Sequence, residues 1–139
     1  MPSDTAIAVL FPGQGSQQPD MRDVVGEFAP ELLEQSLELV GDDPFARVDG
    51  STRFAQPAIF LASVAGWRRS ELDLSEVVAV AGHSLGEFAA LVAAGALDAE
   101  VALRLVVERG RLMADAGERE GGGTMLAVLG ASAEAAAQL

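Results

Sequence analysis

The chain has 139 residues, half of them hydrophobic, and a formal net charge of −12, and this length is typical of one domain. Such an acidic chain is a poor partner for nucleic acid. It has no cysteine and one histidine, which excludes disulfides and thiolate or multi-histidine metal sites. Because it shows no long uncharged apolar segment and no signal-peptide pattern, we expect a cytoplasmic, metal-free protein with no membrane partner.

The N-terminal third of the sequence predicts one strand and two helices. Residues 5–11 are a continuous apolar run, which is typical of a buried strand. Residues 12–17 contain a proline and two glycines and predict a loop. A weak helical pattern covers residues 21–28, and a second helix begins at Pro30 and is ended by Gly41.

The middle of the sequence continues this alternation. Residues 42–52 are polar and predict a loop, after which Pro57 is in a suitable position to open the next helix. A second continuous apolar run at residues 77–82 predicts another buried strand, of the kind found in parallel sheets. Ser84 lies in the turn after this strand, and residues 87–95 predict a helix.

The C-terminal third predicts a long helix followed by the beginning of another unit. Asp98 is a suitable N-cap for an amphipathic helix that continues to about Ala116. Residues 117–123 predict a flexible connector, residues 124–130 predict a third strand, and Ser132 is expected to cap a last helix.

Alternating strands and helices predict an α/β fold with a mostly parallel sheet. The strand and helix after the connector are too short to bury their own apolar surface. We therefore expect a second domain to begin near Gly121 and most of it to be missing from the chain.

Residues 82–86, with the sequence Gly-His-Ser-Leu-Gly, match the G-x-S-x-G pattern of a nucleophile elbow. In that turn the serine is exposed between a strand and a helix, and the flanking glycines let the backbone segments pass closely. The N–H of the next residue, Leu85, points at the developing oxyanion, beside the positive end of the helix. The apolar strand before the motif and the apolar helix after it favour Ser84 as a nucleophile over a capping serine in a glycine-rich turn.

His83 adjoins Ser84 in the sequence and is the only histidine. Side chains of consecutive residues on a tight turn diverge, and a general base must reach the proton that it removes. We therefore expect His83 to line the site rather than to act as the base.

Arg109 is a candidate anion-binding residue. It shares one helical stripe with Ala102, Val106 and Met113 and is the only polar residue on that stripe. An arginine on an apolar face needs an anion or a route to water. A bound carboxylate, an internal ion pair and a side chain that reaches solvent are the open alternatives.

Another stripe of the same helix carries charges of both signs at ion-pair spacing: Arg104, Glu108, Arg111 and Asp115. We expect these residues to form solvated surface.

Two motifs together, PGQGSQ at residues 12–17 and GHSLGEFAALVAAGAL at residues 82–97, resemble the malonyl-CoA:acyl carrier protein transacylase family. This family includes the acyltransferase domains of polyketide synthases. Further matches are QPAI at residues 56–59, ERGRLM at 108–113 and GTMLAVLG at 123–130. The resemblance runs from about Ala6 to the last residue and covers less than half of a usual family member.

The resemblance implies an α/β-hydrolase-like large subdomain with a ferredoxin-like small subdomain inserted in it. Residues 1–120 would be the first part of the large subdomain, and residues 121–139 would be the truncated start of the small one. The implied reaction is ping-pong transfer of a malonyl-type acyl group. Malonyl-CoA would be the donor and the phosphopantetheine thiol of an acyl carrier protein the acceptor, with no bound cofactor.

The resemblance also assigns roles to individual residues. Ser84 would carry the acyl group, and Gln14 would supply the second oxyanion N–H beside that of Leu85. Gln56 matches a family position near the site, and Arg109 matches the arginine that holds the malonyl carboxylate. An aliphatic residue at position 85 favours malonyl over methylmalonyl in polyketide-type relatives.

The general base of the family is a histidine far downstream, and this chain has no counterpart. We therefore expect the isolated chain to be inactive and to need the missing C-terminal part of the acyltransferase as a partner. A thioesterase or lipase is one alternative, although Arg109 has no role in it and Glu87 stands where such enzymes often have glycine. A non-catalytic assembly half is the other. We do not expect PGQGSQ to be a phosphate-binding P-loop, because the lysine that such a loop needs is absent.

Overall fold

The computed structural model describes residues 6–122 and 128–138. In chain order the elements are β1 (Ile7–Phe11), α1 (Met21–Phe28), α2 (Pro30–Val40), α3 (Thr52–Ser70), β2 (Val77–Gly82), α4 (Gly86–Ala93), α5 (Ala99–Arg119) and α6 (Ala133–Ala136). Strands and helices alternate as predicted, and the α/β fold is confirmed. None of the helices in the described ranges is long and apolar enough to cross a membrane.

The two strands pair in parallel, as strands joined by helical crossovers do. Val9 lies opposite Val80 and Phe11 lies opposite Gly82. Both strands therefore end at the same edge of the sheet, and the loops that follow them start side by side.

The prediction that both strands are buried is wrong for one face of the sheet. Phe11 is buried, and Val9 and Val80 pack against the core. Leu10 and its partner Ala81 point to the opposite face, and Leu10 is 75% exposed. A parallel strand is buried on both sides only where both faces of the sheet are covered, and the helices of the described chain cover one.

Helix α3 begins at Thr52 and not at Pro57, so the predicted opening of this helix is wrong. The side chain of Ser51 caps the helix by accepting a hydrogen bond of 3.2 Å from the N–H of Arg53. Proline inside a helix removes one hydrogen bond and crowds the preceding turn. Here all residues from Phe54 to Leu61 are buried, and this packing holds the helix through Pro57.

Helix α5 continues to Arg119, so the predicted connector loses its first residues to the helix. The helix ends next to Gly121, which has a left-handed φ of 76° that glycine adopts without a steric penalty. Asp98 holds the predicted N-cap position, but its side chain makes no capping hydrogen bond. Its main-chain oxygen instead accepts from the N–H of Ala102 at 2.9 Å.

The start of the second domain stays a prediction. Of the strand expected at residues 124–130, residues 124–127 lie outside the described part, and residues 128–130 have no strand structure. Ser132 caps α6 as expected, with its Oγ accepting from the N–H of Ala135 at 3.2 Å.

Helices α3 and α5 form the centre of the core and approach each other closely at Gly110. A Cβ atom built on Gly110 would lie 3.1 Å from the main-chain oxygen of Thr52 and 3.4 Å from the Cα of Arg53. Only a glycine leaves α5 this close to the first turn of α3. This approach sets Arg109 on α5 beside Gln56 on α3.

Candidate active site

Ser84 occupies a strained turn between β2 and α4. Its φ angle is +54°, and among the described non-glycine residues only Glu71 shares a positive φ. This conformation costs roughly 1–2 kcal/mol for a residue with a Cβ atom. The serine side chain is exposed at the tip of the turn, which is the arrangement that a nucleophile elbow requires.

The two glycines of the motif are needed because no Cβ atom fits at either position. A Cβ on Gly82 would lie 2.1 Å from the carbonyl carbon of Gly86, and one on Gly86 would lie 2.2 Å from the main-chain oxygen of Phe11. The turn is tied to the end of β1 by a hydrogen bond of 3.1 Å from the N–H of His83 to the oxygen of Phe11. The motif thus brings the end of β1, the end of β2 and the start of α4 into direct contact.

The two proposed oxyanion donors lie on the two loops that leave this sheet edge. Leu85 is 1% exposed and directly precedes α4, and within the described chain its N–H donates to no acceptor. Gln14 follows β1, and its side-chain Nε2 donates to Thr52 Oγ1 at 3.1 Å. The convergence of the two N–H groups on one point near Ser84 stays a prediction.

His83 lies against the loop after β1. A Cβ on Gly13 would be 2.8 Å from the His83 Nδ1 atom, so the imidazole packs over this glycine. No hydrogen bond joins His83 to Ser84 in the described structure. This position fits a residue that lines the site and gives no support to a role as base.

Arg109 connects the nucleophile to the core of the domain. Its Nη2 donates to Ser84 Oγ at 2.9 Å, and its Nη1 donates to Gln56 Oε1 at 2.6 Å. The Nε2 of Gln56 in turn donates to the sulfur of Met113 at 3.0 Å. Three of the residues singled out from the sequence, Ser84, Gln56 and Arg109, are therefore one connected network. No carboxylate of the described chain pairs with Arg109.

Arg111, by contrast, is paired within its own helix. It contacts Glu108 at 2.6 Å and Asp115 at 2.9 Å, and its hydrogen bond to Glu108 lowers the pKa of that carboxyl group. These residues are solvated, as the charge pattern predicts.

Residues 31–138 match the acyl transferase domain family. The chain belongs to this family. The polyketide biosynthesis protein ThaF of Burkholderia thailandensis is 43% identical over 132 residues, which cover 88% of this chain and 11% of that protein. The malonyl CoA-acyl carrier protein transacylase of Haemophilus influenzae is 39% identical over 140 residues, covering 92% of this chain and 45% of that protein.

Solved structures of family members have the same fold. The malonyl CoA-acyl carrier protein transacylase of Burkholderia pseudomallei superposes with a TM-score of 0.70 at 35% identity, covering 81% of this chain and 41% of that one. A malonyl-transacylase in complex with its type II polyketide synthase acyl-carrier protein superposes with a TM-score of 0.65 at 36% identity, covering 81% of this chain and 40% of that one. The chain thus spans less than half the length of these relatives.

Two contacts of this candidate site were not predicted from the sequence. Thr52, assigned to a loop, opens α3 and holds the side chain of Gln14. Met113, noted only as an apolar member of the Arg109 stripe, is the hydrogen-bond acceptor of Gln56. Its i,i+4 spacing from Arg109 was the available signal, because such residues face the same neighbour.

Proposed function

We propose that this chain is the nucleophile-bearing part of an acyltransferase that moves a malonyl-type group from CoA to the phosphopantetheine thiol of an acyl carrier protein. The observation that carries the proposal is the contact of Arg109 with Ser84. Arg109 has no carboxylate partner in the described chain, and it lies within hydrogen-bonding distance of the nucleophile. Relatives named as malonyl transacylases, one of them in complex with an acyl-carrier protein, support the same activity.

In the first step the Ser84 oxygen attacks the thioester carbonyl of the acyl-CoA. The serine proton passes to the histidine base expected further along the polypeptide. The negative charge that develops on the carbonyl oxygen is stabilised by the N–H groups of Leu85 and Gln14. When the carbonyl re-forms, the C–S bond breaks, the sulfur leaves with the proton as the CoA thiol, and Ser84 is left as an ester.

In the second step the phosphopantetheine thiol attacks the ester. It loses its proton to the same base, the ester C–O bond breaks, and Ser84 recovers its hydroxyl. The product is the acyl carrier protein bearing the malonyl group as a thioester.

Arg109 supplies the selectivity for an acyl group with a free carboxylate. The guanidinium is a planar, permanently charged donor that suits a carboxylate better than an ammonium does. One edge is held by Gln56 at 2.6 Å, and the other faces Ser84. A malonyl group esterified to Ser84 has its carboxylate a short distance from the ester carbonyl, within reach of that second edge.

The products formed from malonyl-CoA test this function. The protein that contains residues 1–139 and the downstream histidine is incubated with malonyl-CoA and holo acyl carrier protein, and malonyl carrier protein and free malonate are quantified. We expect transfer to the carrier protein to exceed hydrolysis greatly. Free malonate as the main product would indicate a serine hydrolase, and no turnover together with no acylated protein would indicate a non-catalytic assembly half.

A further inference from the structure

We propose that Gln56 and Met113 form a positioning pair that aims the guanidinium of Arg109 at the acyl carboxylate. The inference rests on the proposed function and names residues that act on Arg109 without touching the acyl group. It assigns Met113 a polar role, although the sequence pattern places it on an apolar stripe.

Gln56 is a buried polar side chain in an apolar setting. It is 1% exposed and lies in the stretch of α3 whose residues are all buried. An amide in such a place is unfavourable unless both of its ends are hydrogen bonded. Both ends are satisfied: the oxygen by Arg109 at 2.6 Å and the nitrogen by Met113 at 3.0 Å.

The two neighbours of Gln56 admit only one orientation of its amide. The guanidinium of Arg109 has donors and no acceptor, and the thioether of Met113 is an acceptor and has no donor. A flipped amide would set its NH2 group against the Nη1 donor and its oxygen against the sulfur. Met113 and Arg109 therefore fix the direction of the amide from opposite ends.

The fold places these residues in contact through helix geometry. Arg109 and Met113 are i,i+4 neighbours on α5, so both face the same point of α3. The two helices approach closely at Gly110, and Gln56 of α3 contacts both Arg109 and Met113 of α5. Nη1 is held by Gln56, and Nη2 on the other edge of the guanidinium donates to Ser84 Oγ.

Loss of the sulfur acceptor should loosen this arrangement. In Met113→Leu the volume is nearly kept, but the amide nitrogen of Gln56 has no partner, and the amide is free to turn. Hydrogen-bond partners that orient the ligands of a metal site typically change affinity or activity by about 10- to 100-fold, and we expect the lower end of this range for the orientation of Arg109. We expect the KM for malonyl-CoA to rise about tenfold with kcat nearly unchanged, because binding of the carboxylate is what weakens. With acetyl-CoA, which has no carboxylate, Met113→Leu should have the same KM and kcat as the wild type.

Two variants control this experiment. Met113→Gln offers an amide oxygen to Gln56 and should restore a KM for malonyl-CoA near that of the wild type. Leu112 is the neighbouring residue of α5 and is 52% exposed. Leu112→Ala should change neither the KM for malonyl-CoA nor the KM for acetyl-CoA. Equal losses with malonyl-CoA and acetyl-CoA in Met113→Leu would indicate a purely structural role and overturn the inference.

The proposed function and this inference fail in distinguishable ways. All variants are compared in the protein that also contains the downstream histidine, and the wild type is measured first. A wild type that does not transfer malonyl would overturn both. A wild type that does, with Met113→Leu keeping its KM for malonyl-CoA, would overturn the positioning role alone.

Discussion

The guanidinium of Arg109 donates a hydrogen bond of 2.9 Å to the hydroxyl oxygen of Ser84, although 25 positions separate the two residues. The chain turns back after α4, so that α5 passes close to the elbow and makes this contact. A carboxylate is a stronger acceptor than a hydroxyl group. We therefore expect an incoming malonyl group to draw the guanidinium away from Ser84, which leaves the serine free to react.

Substitution of Arg109 should separate malonyl from acetyl transfer. In Arg109→Ala the malonyl carboxylate has no partner. We expect kcat/KM for malonyl-CoA to fall by a factor that corresponds to the loss of about 2–5 kcal/mol of transition-state stabilisation. With acetyl-CoA the loss should be much smaller, or the rate should rise, because Ser84 no longer accepts a hydrogen bond from the guanidinium. The measurement is kcat/KM for both donors in a protein that also contains the expected downstream histidine.

Arg111→Ala is the matched control for this comparison. Arg111 lies on the same helix and pairs only with the solvated Glu108 and Asp115 in the described structure, and such pairs contribute at most about 1 kcal/mol. Transfer of both acyl groups should stay close to that of the wild type. If Arg109→Ala lowered malonyl and acetyl transfer equally, its role would be structural and the argument for a dicarboxylic donor would be lost.

The positive φ of Ser84 predicts an unusual order of stabilities. At an ordinary helical position, alanine is more stable than glycine by about 1 kcal/mol. At φ +54° the Cβ of alanine is strained and glycine is not. We therefore expect Ser84→Gly to have a free energy of unfolding at least equal to that of Ser84→Ala.

The comparison is made by urea unfolding, with Ser63 inside α3 as the control site. There alanine should be the more stable replacement. The same order of alanine and glycine at both sites would show that the elbow carries no strain.

Two glycines of α5 should respond to alanine in opposite ways. Gly110→Ala sets a methyl group 3.1 Å from the main-chain oxygen of Thr52, and overpacking of this kind costs about 1–3 kcal/mol. Gly117 is a helical glycine, and a Cβ atom added to it would have no neighbour within 4 Å, so Gly117→Ala should stabilise the fold by about 0.5–1 kcal/mol. Urea unfolding of both variants measures the two free energies, and a stabilising Gly110→Ala would contradict the close approach of α3 and α5.

The elbow could be predicted from the sequence because G-x-S-x-G is a local pattern between an apolar strand and an apolar helix. The requirement for glycine at position 82 arises within the turn, whereas the requirement at position 86 comes from the end of β1 at Phe11. Arg109 could be singled out because helical periodicity isolates it on an apolar stripe. Pro57 misled the prediction of α3, since the cap at Ser51 and the burial of the helix outweigh the local cost of proline.

Features that depend on distant parts of the chain were not predictable in this way. The exposed side of β1 at Leu10 depends on what covers the sheet, and the strand sequence does not contain that information. The contact between Gln56 and Met113 depends on how closely two helices approach at Gly110. Periodicity assigns each residue to a face but does not give the partner on the opposite helix.

Acylation of Ser84 by malonyl-CoA tests the assignment of this residue as the nucleophile. A protein that also contains the expected downstream histidine is incubated with malonyl-CoA in the absence of a carrier protein, and its intact mass and peptide masses are measured. We expect the gain of one malonyl group on the peptide that contains Ser84, its loss on addition of holo acyl carrier protein, and no gain in Ser84→Ala. Malonyl carrier protein formed by Ser84→Ala at the rate of the wild type, or an adduct on another residue alone, would contradict the assignment of Ser84 as the nucleophile.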